Sequence, residues 1–150
     1  MSRPITILLA DDDADWRALV REAIAHGFPF ARIWEVSGGC DALDFLRRRG
    51  RYAIAPATDL VYTDLEMPDM SGQELLKAIR SDPDLKNIPV VLLTGVNDDA
   101  QRRQAEHNGA EDYILKWSDF RKLRGRLIRT THRILGVEPV ATSALDPPDA

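Results

Sequence analysis

Alternation constrains this chain more than any other feature. Five short runs rich in β-branched or apolar residues, at 5–10, 32–36, 60–63, 90–94 and 112–115, are separated by five longer runs with helical spacing. The runs at 60–63 and 90–93 are almost continuously apolar, which suits strands covered on both faces. The spacing predicts helices over 15–26, 41–49, 72–80, 98–107 and 118–135. Trp16, Leu19, Val20, Ala23 and Ile24 form the stripe of the first, and Phe120, Leu123, Leu127, Thr131 and Ile134 that of the last. The fourth is poor in large apolar residues. Strict β–α alternation implies a doubly wound α/β fold: a parallel sheet with helices on both faces and right-handed crossovers.

The punctuation follows the same rhythm. Asp15, Asp41, Ser71, Asp98 and Ser118 stand where helix N-caps are needed. Gly27, Gly50, Gly109 and Gly136 fall where helices should end in a left-handed residue. A length of 150 residues suits one domain, read as 1–137. Residues 138–150 lack periodicity and hold three prolines, so a disordered tail is expected there. The single cysteine, Cys40, excludes an intramolecular disulfide framework and a multi-cysteine metal site, and it reads as a small residue at a helix start. The N-terminal apolar run is too short for a signal peptide, and no stretch is long enough to span a membrane, so a soluble cytoplasmic protein is expected.

Charge is uneven. Residues 118–136 carry a net +5 within a chain of net −4, leaving an acidic body of −9. That balance argues against direct DNA binding over the whole surface and leaves the basic segment to a solvated face or an acidic protein partner.

In doubly wound sheets, ligands bind beyond the C-terminal strand ends. There the first strand delivers Asp11, Asp12 and Asp13, the third Asp64, the fourth Thr94 and Gly95, and the fifth Lys116. Clustered carboxylates repel unless a cation sits among them. Oxygen donors without His or Cys favour a hard cation such as Mg²⁺. A lysine and a hydroxyl beside that metal suit an anion drawn to it. Together they describe phosphoryl transfer with an aspartate nucleophile.

At this point the chain resembles a response-regulator receiver domain of two-component signalling, of the single-domain, chemotaxis-regulator-like kind. The resemblance rests on 7–12 (ILLADD), 61–68 (VYTDLEMP) with Gly72, 89–95 (PVVLLTG) and 109–116 (GAEDYILK), in order. It implies a flavodoxin-like (βα)5 fold with strand order 2-1-3-4-5. It implies that Asp64 accepts a phosphoryl group from a sensor histidine kinase or a phosphotransfer protein. Asp12 would ligate Mg²⁺ directly, Asp11 through water, and Glu66 through its backbone carbonyl. Thr94 and Lys116 would bind phosphoryl oxygens. Tyr113 would be the aromatic switch that follows Thr94, and small Gly95 would leave the acyl phosphate open. The chain would catalyse only its own phosphorylation and dephosphorylation. Signalling would run through a changed protein surface, with Trp117, Arg121, Arg124 and Ile128 as a partner or homodimer face on the last helix.

One position departs from the family, which usually has Pro after the lysine, often across a cis bond. Here Trp117 follows Lys116. A cis bond before a non-proline residue costs about 3 kcal/mol, so either the bond is trans with a different loop or the strain is compensated. Trp16 lies one turn past the acid cluster and either flanks the site or packs in the core; Trp34 reads as packing. His26, His107 and His132 lack ligand spacing. Three other functions fit parts of this pattern: a receiver acting without phosphorylation, an aspartate-nucleophile phosphatase, and a flavodoxin-like cofactor binder. The acidic loop after the first strand has the wrong charge for the last.

Overall fold

The alternation appears directly in a computed structural model of the protein, which describes residues 4–140. Strands β1 (Thr6–Ala10), β2 (Arg32–Val36), β3 (Leu60–Asp64), β4 (Val90–Thr94) and β5 (Asp112–Leu115) form one parallel sheet in the order β2-β1-β3-β4-β5. Helices α1 (Ala14–Gly27), α2 (Gly39–Arg47), α3 (Gly72–Ser81), α4 (Asp99–His107) and α5 (Phe120–Leu135) connect and follow the strands. A short 3₁₀ turn at Gly50–Tyr52, which the spacing does not predict, follows α2.

Side chains alternate across the sheet with period two, and the core divides accordingly. Ile7 and Leu9 of β1 face α1 and α5 with Val20, Ile24, Leu123 and Leu127. Leu8 and Ala10 face α2, α3 and α4 with Phe45, Leu75, Ile79 and Ala105. Each fully buried leucine or isoleucine contributes about 2 kcal/mol by leaving water. Tyr62 is buried among them, and its hydroxyl lies 2.7 Å from Thr131 Oγ1 and donates to the Leu127 carbonyl at 3.3 Å. Burial pushes its phenol pKa well up.

Several helix ends differ from expectation. Asp13, not Asp15, caps α1: its Oδ1 accepts the Asp15 and Trp16 backbone N–H groups at 2.9 and 3.3 Å. Asp119, not Ser118, caps α5. Ser71 and Asp98 cap α3 and α4 as the sequence suggests, Ser71 with Glu74 in a reciprocal capping box. Asp41 caps nothing and pairs with Arg51. Gly38 begins α2 without a capping side chain of its own, and the Asp69 carboxylate accepts Gly39 N–H at 3.1 Å and Cys40 N–H at 2.9 Å. Those bonds, led by the one from Cys40, hold the Asp69 carboxyl below the usual carboxylate range. They also tie the loop after β3 to α2.

Gly27 is the last residue of α1 and not a left-handed cap; a Cβ there would meet the Ile128 side chain at 3.0 Å. Its role is to let α1 and α5 approach. Past the end of α5, Gly136 is left-handed (φ 69°). Residues 138–140 then run back over the body, and Val140 N–H donates to the Gly27 carbonyl at 2.7 Å. The rest of the expected tail, 141–150, lies outside the described residues. No described helix is long and apolar enough to cross a membrane.

Candidate functional site

Four strand ends build one open cleft of about 390 Å³, lined by Asp11, Asp12, Asp13, Trp16, Asp64, Glu66, Thr94, Gly95, Val96 and Lys116. β1 ends in Asp11, which is buried. Its backbone N–H donates to the Val36 carbonyl at 3.1 Å, and its Oδ1 accepts the Asp13 N–H at 2.9 Å. Arg17 braces it from α1: the guanidinium donates to the Asp11 carbonyl at 2.6 Å and pairs with Glu35 at 3.2 Å. Arg17 carries no signal in the sequence, because its partners, the Asp11 carbonyl and the Glu35 carboxylate of β2, meet only in the fold.

β3 ends in Asp64, whose Oδ1 accepts the Leu65 N–H at 2.9 Å. At the start of α3, a Cβ on Gly72 would lie 2.4 Å from the Asp64 carbonyl oxygen, so the helix packs directly on the acid's backbone. From the end of β5, the Lys116 ammonium donates to Asp11 Oδ2 at 2.8 Å and Asp64 Oδ1 at 3.2 Å. Its side chain is only 7% exposed, which makes the bridge a desolvated one. No described peptide bond is cis, so Lys116–Trp117 is trans, and the lysine reaches both carboxylates in that geometry. The Lys116 N–H donates to the Thr94 carbonyl at 2.7 Å, which registers the lysine against β4.

The carboxylate oxygens of Asp11, Asp12 and Asp64 lie within 4.8 Å of one another. Burial, with the Asp11 charge behind it, raises the Asp64 pKa above its ordinary value, and the neighbouring Lys116 offsets only part of this. Three acids against one ammonium leave an excess of negative charge. An all-oxygen, partly desolvated donor set of this kind fits a hard divalent cation.

Thr94 is buried, and its Oγ1 accepts the Val96 N–H at 3.1 Å. Tyr113 lies inward, 3% exposed, with its hydroxyl 3.3 Å from the Val96 carbonyl. Burial pushes its phenol pKa up, opposed in part by the nearby Thr94 hydroxyl. The two residues expected to form a switch therefore meet at Val96, Thr94 through its backbone N–H and Tyr113 through its carbonyl.

Residues 7–128 match the model of the response regulator receiver domain. The chain belongs to that family. It is 31% identical over 134 residues to the chemotaxis protein CheY-3 of Vibrio cholerae, covering 89% of this chain and 97% of the relative. It is 36% identical over 91 residues to the response regulator Rcp1 of Synechocystis, covering 61% of this chain and 62% of that one. Some relatives are much longer: the chain spans 25% of a probable cyclic di-GMP phosphodiesterase of Vibrio cholerae, to which it is 34% identical over 122 residues. Among solved structures, the phosphorylated cyanobacterial phytochrome response regulator RcpA matches with a TM-score of 0.83 at 28% identity, over 93% of this chain and all of that one. The Mn²⁺-bound form of Rcp1 matches with a TM-score of 0.80 at 27% identity, over 92% of this chain and 100% of the other.

The receiver's expected site residues Asp11, Asp12, Asp64, Thr94, Lys116 and Glu66 share the cleft. The expected partner face does not hold together as one exposed patch. Arg121 is exposed, and Arg124 is half-buried with its guanidinium 5.9 Å from the Phe120 ring. Trp117 packs partly against the core. Ile128 is a correction: it is buried in the α1–α5 seam against Gly27, because that glycine leaves room for it. Trp16 combines the two expected roles: it flanks the cleft and packs partly against the core.

Proposed function

We propose that this receiver is a phosphorylation-driven response regulator with Asp64 as phosphoacceptor. The observation that carries the reading is the desolvated Lys116 ammonium bridging Asp11 and Asp64 beside a buried Thr94 hydroxyl. The donor is a phosphohistidine on a histidine kinase or phosphotransfer protein. The phosphorus–nitrogen bond breaks, a phosphorus–oxygen bond to Asp64 forms, and the released imidazole nitrogen takes a proton from water. Asp11, Asp12, Asp64 and the Glu66 backbone carbonyl would hold Mg²⁺. A bound Mg²⁺ supplies charge neutralisation between the carboxylates and the incoming phosphoryl oxygens. Lys116 and Thr94 each bind one such oxygen, and the Thr94 movement is followed by Tyr113.

The likeness to RcpA, and to the bacteriophytochrome response regulator RtBRR at 26% identity and a TM-score of 0.74, makes a phytochrome-type histidine kinase the donor class to test first. On this reading the chain is cytoplasmic, contacts neither DNA nor membrane, and turns over no substrate beyond its own phosphoryl group. Its output is a protein contact or homodimer on the α5 side, with Arg121 and Arg124 at its surface.

Intact-mass measurement after incubation with acetyl phosphate and Mg²⁺ tests the reading. One phosphoryl group should be gained by the wild type, lost on chelation, and absent from Asp64→Asn. A folded wild type that gains nothing would sink it in favour of a phosphorylation-independent interaction module. Repeated turnover of a small phosphate ester would instead favour a phosphatase.

A further inference from the structure

The Trp16 indole stands over the Lys116 ammonium, with Nζ 5.1 Å from the ring centroid, and lines the same cleft as the acids. It is placed there by the α1 cap: Asp13 Oδ1 accepts the Trp16 N–H and aims the first helical turn at the cleft. Lys116 therefore has three partners, Asp11, Asp64 and an aromatic face. The first two are lost in part as soon as the carboxylates turn to other work. Asp64 Oδ1, one of the lysine's acceptors, belongs to the carboxylate proposed as the nucleophile. The ring asks for no such change. It attracts the ammonium through its quadrupole and adds no negative charge to a mouth already lined by Asp11, Asp12, Asp13, Asp64 and Glu66.

The loop beyond the lysine gives the ring a second reason. Trp117 follows across a trans bond and packs against the core, so past Lys116 the chain heads toward α5 and away from the acids. When Asp11 and Asp64 turn to other partners, what keeps the side chain over the cleft is then the backbone bond to Thr94 on one side and the indole on the other.

We infer that Trp16 is a positioning residue for Lys116, holding the ammonium where an incoming phosphoryl oxygen meets it. The inference rests on the phosphoacceptor reading of Asp64. It acts through the lysine, not through contact with the phosphoryl group.

The test measures the rate of Mg²⁺-dependent phosphorylation by acetyl phosphate, read as intact mass, in a set of variants. Trp16→Phe keeps an aromatic face and should stay within about twofold of wild type. Trp16→Leu keeps apolar bulk without a π face and should be slower by roughly three- to tenfold, as should Trp16→Ala. In a Lys116→Met background, Trp16→Leu should cause no further loss, because the group it positions is gone. A Trp16→Leu rate equal to wild type makes the ring simple packing and overturns the inference. So does an undiminished Trp16→Leu effect in the Lys116→Met background. A wild type that gains no phosphoryl group points elsewhere: it removes the Asp64 reading itself, and with it the ground for the inference. A second readout needs no phosphorylation. Mg²⁺ should change the tryptophan emission of the wild type and of Trp34→Phe, as the ammonium shifts against the indole. Trp16→Phe should lose that change, and its persistence there would count against the ring as the lysine's partner.

Discussion

Helices α4 and α5 lie against the same edge strand, β5, yet different forces hold them there. α5 buries Leu123, Leu127, Ile128, Thr130 and Thr131 and is further tied by the Tyr62–Thr131 hydroxyl contact. α4, much more polar, buries Ala105. Its fastening is made of polar groups. Gln73 of α3 donates to the Gln101 carbonyl at 3.0 Å and accepts from Asn108 at 3.3 Å. Arg102 lies 4.8 Å over the Tyr113 ring and donates to the Tyr113 carbonyl at 3.3 Å. Apolar burial is lost whenever a helix moves away, whereas a polar contact is readily exchanged for water at a net cost near 1 kcal/mol. The helix beside the Thr94–Val96 loop is thus the one that can shift cheaply. On the proposed reading, a signal starting at Asp64 and passing through Thr94 and Tyr113 would reach α4 first and move it against α5, the fixed side of the frame.

The largest effect expected from this contrast is on stability. Leu127→Ala empties a fully buried position of α5 and should cost about 3 kcal/mol in urea denaturation. Ala105→Gly, at the buried position of α4, should cost about 1 kcal/mol, mostly through helix propensity. Equal losses would mean that α4 is anchored as firmly as α5, and the contrast would fail.

The same contrast explains what could be read without a structure. Strand positions, helix order and the convergence of Asp11, Asp64, Thr94 and Lys116 follow from local periodicity and from the rule that places sites at strand ends. Contacts between distant residues were not legible. The cap of α2 comes from Asp69, thirty residues along the chain from Gly39. Within the acidic run, spacing does not say which carboxylate turns back on the helix, so Asp13 replaces Asp15. Ile128 reads as part of a surface line until Gly27 is seen to open a slot for it. Arg17 and Trp16 take their roles from partners that only the folded sheet brings near.

A smaller effect should follow from cutting the amide link. Gln73→Ala removes the group that joins α3 to both Gln101 and Asn108 and leaves a cavity at a buried site. About 1–2 kcal/mol of global stability should be lost. The sharper readout is amide hydrogen exchange, which should accelerate along α4 and stay unchanged in α5. Uniform acceleration in both helices would show that they open as one unit.

The smallest effect concerns the site, where polar groups are held against their preference. Asp64 ionises less readily in the folded protein than in the unfolded chain, because burial and the Asp11 charge outweigh Lys116. A carboxyl whose folded pKa is raised binds its proton more tightly when folded. Its ionisation therefore takes away stability as pH rises through the unfolded carboxylate range to the raised value, and the deficit is complete above it. Asp64→Asn removes that deficit. With divalent cations chelated, the variant should melt at a higher temperature than wild type at pH 7, and the gap should narrow as pH falls through the carboxylate range. The phosphorylation rate should run the opposite way in the wild type, falling with acid from a pH above the ordinary aspartate range, since the protonated carboxyl is a poor nucleophile. An Asp64→Asn variant no more stable than wild type at pH 7 would mean that Lys116 compensates the carboxylate fully. The cleft would then be fastened like α5, by contacts that favour the resting state, and phosphorylation would have to work against them instead of relieving a charge already poorly placed.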